Sequence, residues 1–350
     1  MIVARWLGII SLFTAGPDGT LNGDFTGPHL SGAETLFPCD FDGDVRLAVA
    51  VSSHNIGRSF PQECGQIILL HGNGKGGIES TLDAEQLIPP SSHMAHPVLI
   101  GVGDASGDKR LDLVAEDGSG ADSTCPITGE NSIRVLRNNG QGGFLPGPAT
   151  PQNSFSIHEA FGDLDGDGAA DVAQLSLDQK SVDDQTFVPT FVTIKRNDGS
   201  GRFRDAGTIT LPGTPSKITV AGVRGSGQLA TRAILARTTE GIWRVSLSPQ
   251  GTLDAALAYQ PSGTVWDLAV ADFDGDGEPD LALLVGDLHA AHHLDLVHGR
   301  GDGTFDPGNV LVLPGDFGSL MAAGDFDGDC APDLVTAGDQ LHVFLNRSFR

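Results

Sequence analysis

One nine-residue pattern recurs along the chain and restricts what it can fold into. Asp272 to Asp280 reads DFDGDGEPD and runs directly into the apolar stretch Leu281 to Val285. Related loops begin at Asp40 (DFDGDVRLAVA), Asp104 (DASGDKRLDLVA), Asp163 (DLDGDGAADVAQL) and Asp325 (DFDGDCAPDLVTA). A relic that has lost its carboxylates, GVRGSGQLATRAIL, begins at Gly222, between the Asp163 and Asp272 loops. The six starts at 40, 104, 163, 222, 272 and 325 are 64, 59, 59, 50 and 53 residues apart, the length of one four-stranded unit with its loops.

A second signature alternates with the first. Strand-like runs end in a glycine-rich turn followed by an apolar residue: HGNGKGGI from His71, RNNGQGGF from Arg137, RNDGSGRF from Arg196, SPQGTL from Ser248 and HGRGDGTF from His298. Asn-Gly and Asp-Gly pairs suit tight hairpins because the central residues need positive φ. Each unit therefore reads as a strand, the aspartate loop, an apolar strand, a variable loop, a third strand and a hairpin into a fourth. Ser11 to Leu21 carries the hairpin signature before any aspartate loop, and Leu341 to Asn346 makes a third strand near the last residue, Arg350. The expected fold is an all-β propeller of seven four-stranded blades, with six as the alternative. Its ring is expected to close by pairing N-terminal and C-terminal strands, and residues 1–350 form one domain.

Within each loop, aspartates at positions 1, 3, 5 and 9 send their carboxylates toward one point while the intervening residues face outward. That donor set suits calcium, which takes six to eight oxygens in a flexible shell. Gly277 at position 6 permits the turn, and the carbonyl of Glu278 at position 7 adds an oxygen. Without a cation, four carboxylates this close repel one another. The formal net charge of −24, from 21 basic and 45 acidic residues, fits cation binding and argues against nucleic acid or an anionic membrane surface as partner.

The loops, the strands that follow them, the glycine hairpins and the period together resemble the FG-GAP and VCBS repeat family, the calcium-binding propeller repeats also found in integrin α subunits. The resemblance runs from about Ser11 to Arg350. It implies a β-propeller whose aspartate loops hold calcium for structure. Carried over residue by residue, the ligands are Asp163, Asp165, Asp167 and Asp171; Asp272, Asp274, Asp276 and Asp280; and Asp325, Asp327, Asp329 and Asp333. A weaker site would use Asp104, Ser106, Asp108 and Asp112, with a hydroxyl for one carboxylate and Lys109 in the glycine position. The loop of Asp40, Asp42 and Asp44 is two residues shorter and lacks the ninth-position aspartate. Cys330 takes the glycine position of the last loop, where a β-carbon is costly if φ is positive.

Rival readings lose on particular residues. An EF-hand needs a glutamate at position 12 and flanking helices, but that position is Gln174, Leu283 and Thr336 in the three fullest loops. The loop cluster His289, His292 and His293, with Asp295 and His298 nearby, could ligate zinc or copper; an exposed polar loop is the favoured reading. No GxSxG elbow, HExxH or Walker loop is present, and the carboxylate spacing is already explained by calcium. Trp243 and Trp266 fall in strand patterns, as core residues do, and Phe144, Phe203 and Phe305 recur after the hairpins as packing residues between blades.

Four scattered cysteines leave a Cys64–Cys125 disulfide and free thiols equally open. No run approaches the ~20 apolar residues of a membrane-spanning helix. Trp6 to Phe13 reads either as a short signal sequence or as a strand, and the strand is favoured. Long variable stretches at 52–65, 116–130 and 286–293 are where binding residues are expected. The expectation is a secreted or cell-surface binding module for a protein or polysaccharide, with a carbohydrate-active enzyme, a polysaccharide lyase or hydrolase, as the alternative.

Overall fold

The computed structural model describes residues 2–4, 9–15, 21–29, 33–41, 43, 48–53, 66–72, 85–86, 94, 97–117, 131–152, 156–177, 189–225, 228–286, 293–312, 318–338 and 341–347. Every regular element among them is a strand. The first sheet holds β1 (Ile2–Ala4), β2 (Ile9–Ala15) and β3 (Leu21–His29). The next holds β4 (Ala33–Cys39), β5 (Ala48–Ser53), β6 (Gln66–Leu70) and β7 (Glu85–Gln86). Then come β8 (Pro97–Gly103), β9 (Asp112–Asp117), β10 (Ser132–Asn138) and β11 (Phe144–Pro151), followed by β12 (Ser156–Gly162), β13 (Asp171–Leu177), β14 (Pro189–Asn197) and β15 (Phe203–Ile209). A further sheet contains β16 (Pro215–Gly225), β17 (Gln228–Thr238), β18 (Gly241–Leu247) and β19 (Leu253–Tyr259). The last two hold β20 (Val265–Ala271), β21 (Asp280–Val285), β22 (His293–Gly299) and β23 (Phe305–Val312), then β24 (Leu320–Gly324), β25 (Asp333–Ala337) and β26 (Leu341–Phe344).

Strands within a sheet lie in chain order and pair antiparallel, as in Ala271↔Asp280, Leu281↔Val297 and Gly299↔Phe305. The first strands β4, β8, β12, β16, β20 and β24 pack each against the next, which makes them the inner strands of a ring. Second strands are covered on both faces, so β9, β13 and β21 are buried along their whole length. That is why their sequences run apolar instead of alternating. Fourth strands such as β15 and β19 are half exposed and form the rim.

Hydrophobic contact is made between blades. Phe144 after one hairpin meets Phe41 of the preceding aspartate loop edge to face, with ring centroids 5.5 Å apart, in a cluster with Ile67, Leu69, Leu113 and Leu136. Phe203 and Phe305 are buried in the equivalent place, as expected for packing residues.

The expectation of seven four-stranded blades is corrected. Six sheets, from β4 onward, follow the repeat, and among the described residues the sixth has three strands; this supports the alternative of six blades. The N-terminal β1–β3 sheet has no aspartate loop and does not supply the missing strand. Nor do the described terminal strands pair with each other, as ring closure was expected to require: β1 pairs with β2, through Ile2↔Leu12, and β26 pairs with β25, through Val335↔Val343.

Antiparallel order separates the connections into two ends. Aspartate loops, joining first to second strands, and hairpins, joining third to fourth, share one end of the ring. Connections from second to third strands, and from one blade to the next, lie at the other. The described ends of the long stretches at 52–65, 116–130 and 286–293 therefore belong to the end opposite the aspartates, with 54–65, 118–130 and 287–292 outside the described residues. Cys64, Cys125, His289 and His292 likewise lie outside the described residues.

Candidate metal-binding loops

The four longer aspartate loops share one hydrogen-bonding plan. Position 1 folds the loop on itself: Asp272 accepts the Gly275 N–H at 2.7 Å and the Gly277 N–H at 3.0 Å, and Asp163 and Asp325 do the same with Gly166 and Gly168, and with Gly328 and Cys330. In the Asp163, Asp272 and Asp325 loops position 3 caps position 5, which caps position 7, as in Asp276 N–H to Asp274 at 3.1 Å and Glu278 N–H to Asp276 at 2.8 Å; in the Asp104 loop the Asp108 N–H goes to Asp104 at 3.0 Å instead. This path places positions 4 and 6 at positive φ. Glycine serves at both in two loops, with Gly275 at 82° and Gly277 at 85°. Lys109 at 67° and Cys330 at 70° carry side chains into the same left-handed conformation.

The ninth-position aspartate starts the second strand and is buried at Asp112, Asp171, Asp280 and Asp333. One oxygen accepts an amide at position 2 of its own loop: Leu164 at 3.0 Å for Asp171, Phe273 at 2.9 Å for Asp280 and Phe326 at 2.9 Å for Asp333. The other accepts an amide where the third strand turns into the hairpin: Asn138 at 2.9 Å, Asn197 at 2.8 Å, Gly299 at 2.8 Å and Asn346 at 2.7 Å. Burial pushes the Asp171 carboxyl up to about 7, against the Asn197 and Leu164 amides that pull it down. Burial likewise raises Asp112 and Asp280.

Carboxylates converge in three loops. Ligand atoms lie within 4.8 Å of one another in the sets Asp163, Asp165 and Asp171; Asp272, Asp274 and Asp276; Asp274, Asp280 and His298; and Asp325, Asp327 and Asp333. Asp167 and Asp329 lie at the sides of their loops, where each caps an alanine amide, at 2.9 Å and 3.0 Å. Asp104, Asp108 and Asp112 form no such group. Asp108 is turned to Arg110, 2.6 Å away, in the loop that also holds Ser106. In the Asp40 loop, Asp40 accepts the Gly43 amide at 2.8 Å, and Asp42 and Asp44 lie outside the described residues.

A basic side chain from the hairpin stands over each convergent loop. Arg196 pairs with Asp165 and, at 3.3 Å, with Asp167. His298 Nδ1 lies 3.0 Å from Asp274 and 4.0 Å from Asp280, and Arg347 lies 2.7 Å from Asp327 and 3.4 Å from Asp329. The sequence signal for two of them was the basic residue that opens the hairpins at 71, 137, 196 and 298; Arg347 follows Asn346 instead. Asp165 Oδ2 is buried and faces the Arg196 guanidinium. Three sets made of carboxylate oxygens alone fit a hard cation. Asp163, Asp165 and Asp171, Asp272, Asp274 and Asp276, and Asp325, Asp327 and Asp333 would hold it. When bound, it would supply the positive charge that lets these carboxylates stay ionised together.

Three asparagines, whose role sequence reasoning missed, tie each loop to its neighbour. Asn138 Nδ2 donates to the Phe41 carbonyl at 2.7 Å, Asn197 Nδ2 to Ala105 at 2.9 Å and Asn346 Nδ2 to Phe273 at 2.7 Å, in each case position 2 of the preceding aspartate loop. Where the preceding sheet has no aspartate loop, the same place holds Gly72 or Gly299. The relic blade has Leu247 there. Of the remaining sequence candidates, His293 sits 3.3 Å from Asp295, and Trp266 is only partly buried.

Residues 272–336 match the family model described as FG-GAP-like repeat. No curated protein matches the chain. Among solved structures, it is similar to BBS1N in complex with ARL6DN, soaked with lead, at a TM-score of 0.60 and 11% identity over 99% of this chain and 88% of that one. The same complex soaked with mercury gives a TM-score of 0.58 and 12% identity, over 99% and 87%. At such identities the likeness concerns fold. The chain is a β-propeller that carries an FG-GAP-like repeat.

Proposed function

We propose that the protein is a calcium-stabilised β-propeller, secreted or displayed on a cell surface, that acts as a binding module for a protein or polysaccharide. The observation that carries this reading is the division of labour between the two ends of the ring. At one end, three convergent carboxylate loops are held by buried backbone hydrogen bonds and by their neighbours, which suits a structural metal. At the other end lie the long connections that do not repeat, the usual place for recognition on a repeat scaffold. A protein partner is in keeping with BBS1N, a structural neighbour solved in complex with ARL6DN.

A protein and glycan array probed with and without calcium tests the reading. Capture is expected to survive Asp276→Ala at saturating calcium and to be lost when residues 118–130 and 287–292 are replaced by short Gly-Ser turns that leave the melting temperature unchanged. Capture that persists in the shortened variant, or that depends on the aspartate end alone, would contradict it.

A further inference from the structure

Among the described residues, one of the four convergent sets includes a nitrogen donor. In the β20–β23 blade, His298 Nδ1 stands 3.0 Å from Asp274 Oδ2 and 4.0 Å from Asp280 Oδ1. The other two loops have a guanidinium at that place: Arg196 bridges Asp165 and Asp167, and Arg347 bridges Asp327 and Asp329. Strand register equates Arg196 with His298, since Arg196↔Arg204 and His298↔Asp306 come one step before Asn197↔Phe203 and Gly299↔Phe305. An arginine already supplies positive charge to its loop and has no lone pair to give, whereas an imidazole has one. Arg300, two residues after His298, is held by Asp306, its Nε 2.7 Å from Oδ2. Among the described residues no lysine or arginine pairs with Asp274 or Asp280.

Each of the three donors is held from behind. Asp280 is buried, with one oxygen on the Phe273 amide at 2.9 Å and the other on the Gly299 amide at 2.8 Å. Asp274 Oδ1 accepts the Asp276 amide at 3.1 Å, which turns Oδ2 toward the ring. The far edge of the imidazole lies beside Gly308 on β23, where an added β-carbon would stand 3.3 Å from Cδ2. His298 and Asp274 are open to solvent, so an ion reaches the fixed carboxylate from outside. Ligands about 2.0 to 2.2 Å from zinc in a tetrahedron stand roughly 3.3 Å from one another. The separations of 3.0 Å and 4.0 Å fall on either side of that value, so small side-chain shifts close the set. Imidazole nitrogen favours zinc, whereas calcium takes oxygen. We infer that Asp274, Asp280 and His298 form a zinc site, with water as fourth ligand and the ring hydrogen on Nε2. Asp274 also belongs to the set with Asp272 and Asp276, so this loop holds zinc or a hard cation, not both. The inference goes beyond the calcium reading, since calcium in the Asp163 and Asp325 loops neither needs it nor excludes it.

The test is a calorimetric titration of the full chain, stripped with EGTA and desalted, with zinc chloride and, in a parallel arm, calcium chloride. The parent protein is expected to take up one zinc equivalent that His298→Ala loses or binds at least about tenfold more weakly, with calcium uptake kept. His298→Arg, which brings in the side chain that stands over the other two loops, is expected to lose that equivalent as well. Zinc held by His289, His292 and His293 would be common to all three proteins, so the difference between them is the readout. Nitrogen NMR of the imidazoles should show His298 Nδ1 shifting when zinc is added. Equal zinc uptake in the parent and both variants, or a His298 Nδ1 signal that zinc leaves in place, would overturn the inference. Calcium uptake without zinc uptake in the parent would overturn the inference alone, and the absence of both would overturn the calcium reading with it.

Discussion

Asp171 illustrates how the ninth-position carboxylate joins three segments: it starts its strand, accepts the Leu164 amide of its loop and accepts the Asn197 amide at the hairpin. Asn197 extends the tie to the previous blade, with Nδ2 also donating to the Ala170 carbonyl at 3.1 Å. Its Oδ1 accepts the Gly199 and Gly201 amides at 3.0 Å and 3.1 Å. Asn197→Ala should therefore cost about 2 to 4 kcal/mol in urea unfolding, because buried partners on both sides lose hydrogen bonds. Lys109→Gly and Cys330→Gly should each stabilise by about 1 kcal/mol, since both residues hold positive φ in loops that otherwise use glycine. The carboxylate spacing and the costly Cys330 position were legible in the sequence, because a loop of nine residues closes on itself. The basic side chains over the loops were not, since Arg196 and Asp165 meet only once the third strand lies beside the second.

At the scale of the element, blades communicate through their seams, and two features there have a measurable consequence. The choice of Asn or Gly where the third strand ends follows the state of the preceding sheet, and at Gly299 a β-carbon would lie 2.0 Å from the Pro279 carbonyl oxygen. The second feature is a buried acid. Glu116 on β9 accepts the Ser156 hydroxyl of the next blade at 2.5 Å and lies near the Gln174 amide, at 3.4 Å. Burial, followed by repulsion from Glu159, pushes its carboxyl up to about 8. The folded state thus holds this proton more tightly than the unfolded chain, so the associated stability is full below pH 4.5 and is lost as pH rises toward 8. Between those limits the slope is at most about 1.4 kcal/mol per pH unit. Unfolding free energies measured from pH 5 to 9 should fall in the parent protein and fall less in Glu116→Gln; parallel profiles would disprove the assignment. Strands and hairpins were readable from the sequence because their signals are local. The seams were less so, since Trp266 packs against a hydrophobic cluster as its strand pattern suggests, whereas nothing local signals that Arg237 reaches the Val265 carbonyl of the next blade at 3.1 Å.

For the whole molecule, the period foretold a propeller of similar units, and the aspartate loops emerged at one end of it. The blade number was harder to read, because the count turns on whether terminal strands pair with each other, a contact between the most distant parts of the chain. The described strands at the two ends form separate sheets instead. The account's central claim concerns what fills the loops, and calorimetry answers it directly. In saturating calcium the melting temperature should exceed that in EGTA by several degrees, since one site at ten times its dissociation constant contributes about 1.4 kcal/mol. Asp276→Ala should remove part of that difference. Superimposable melting curves in calcium and in EGTA would contradict the claim.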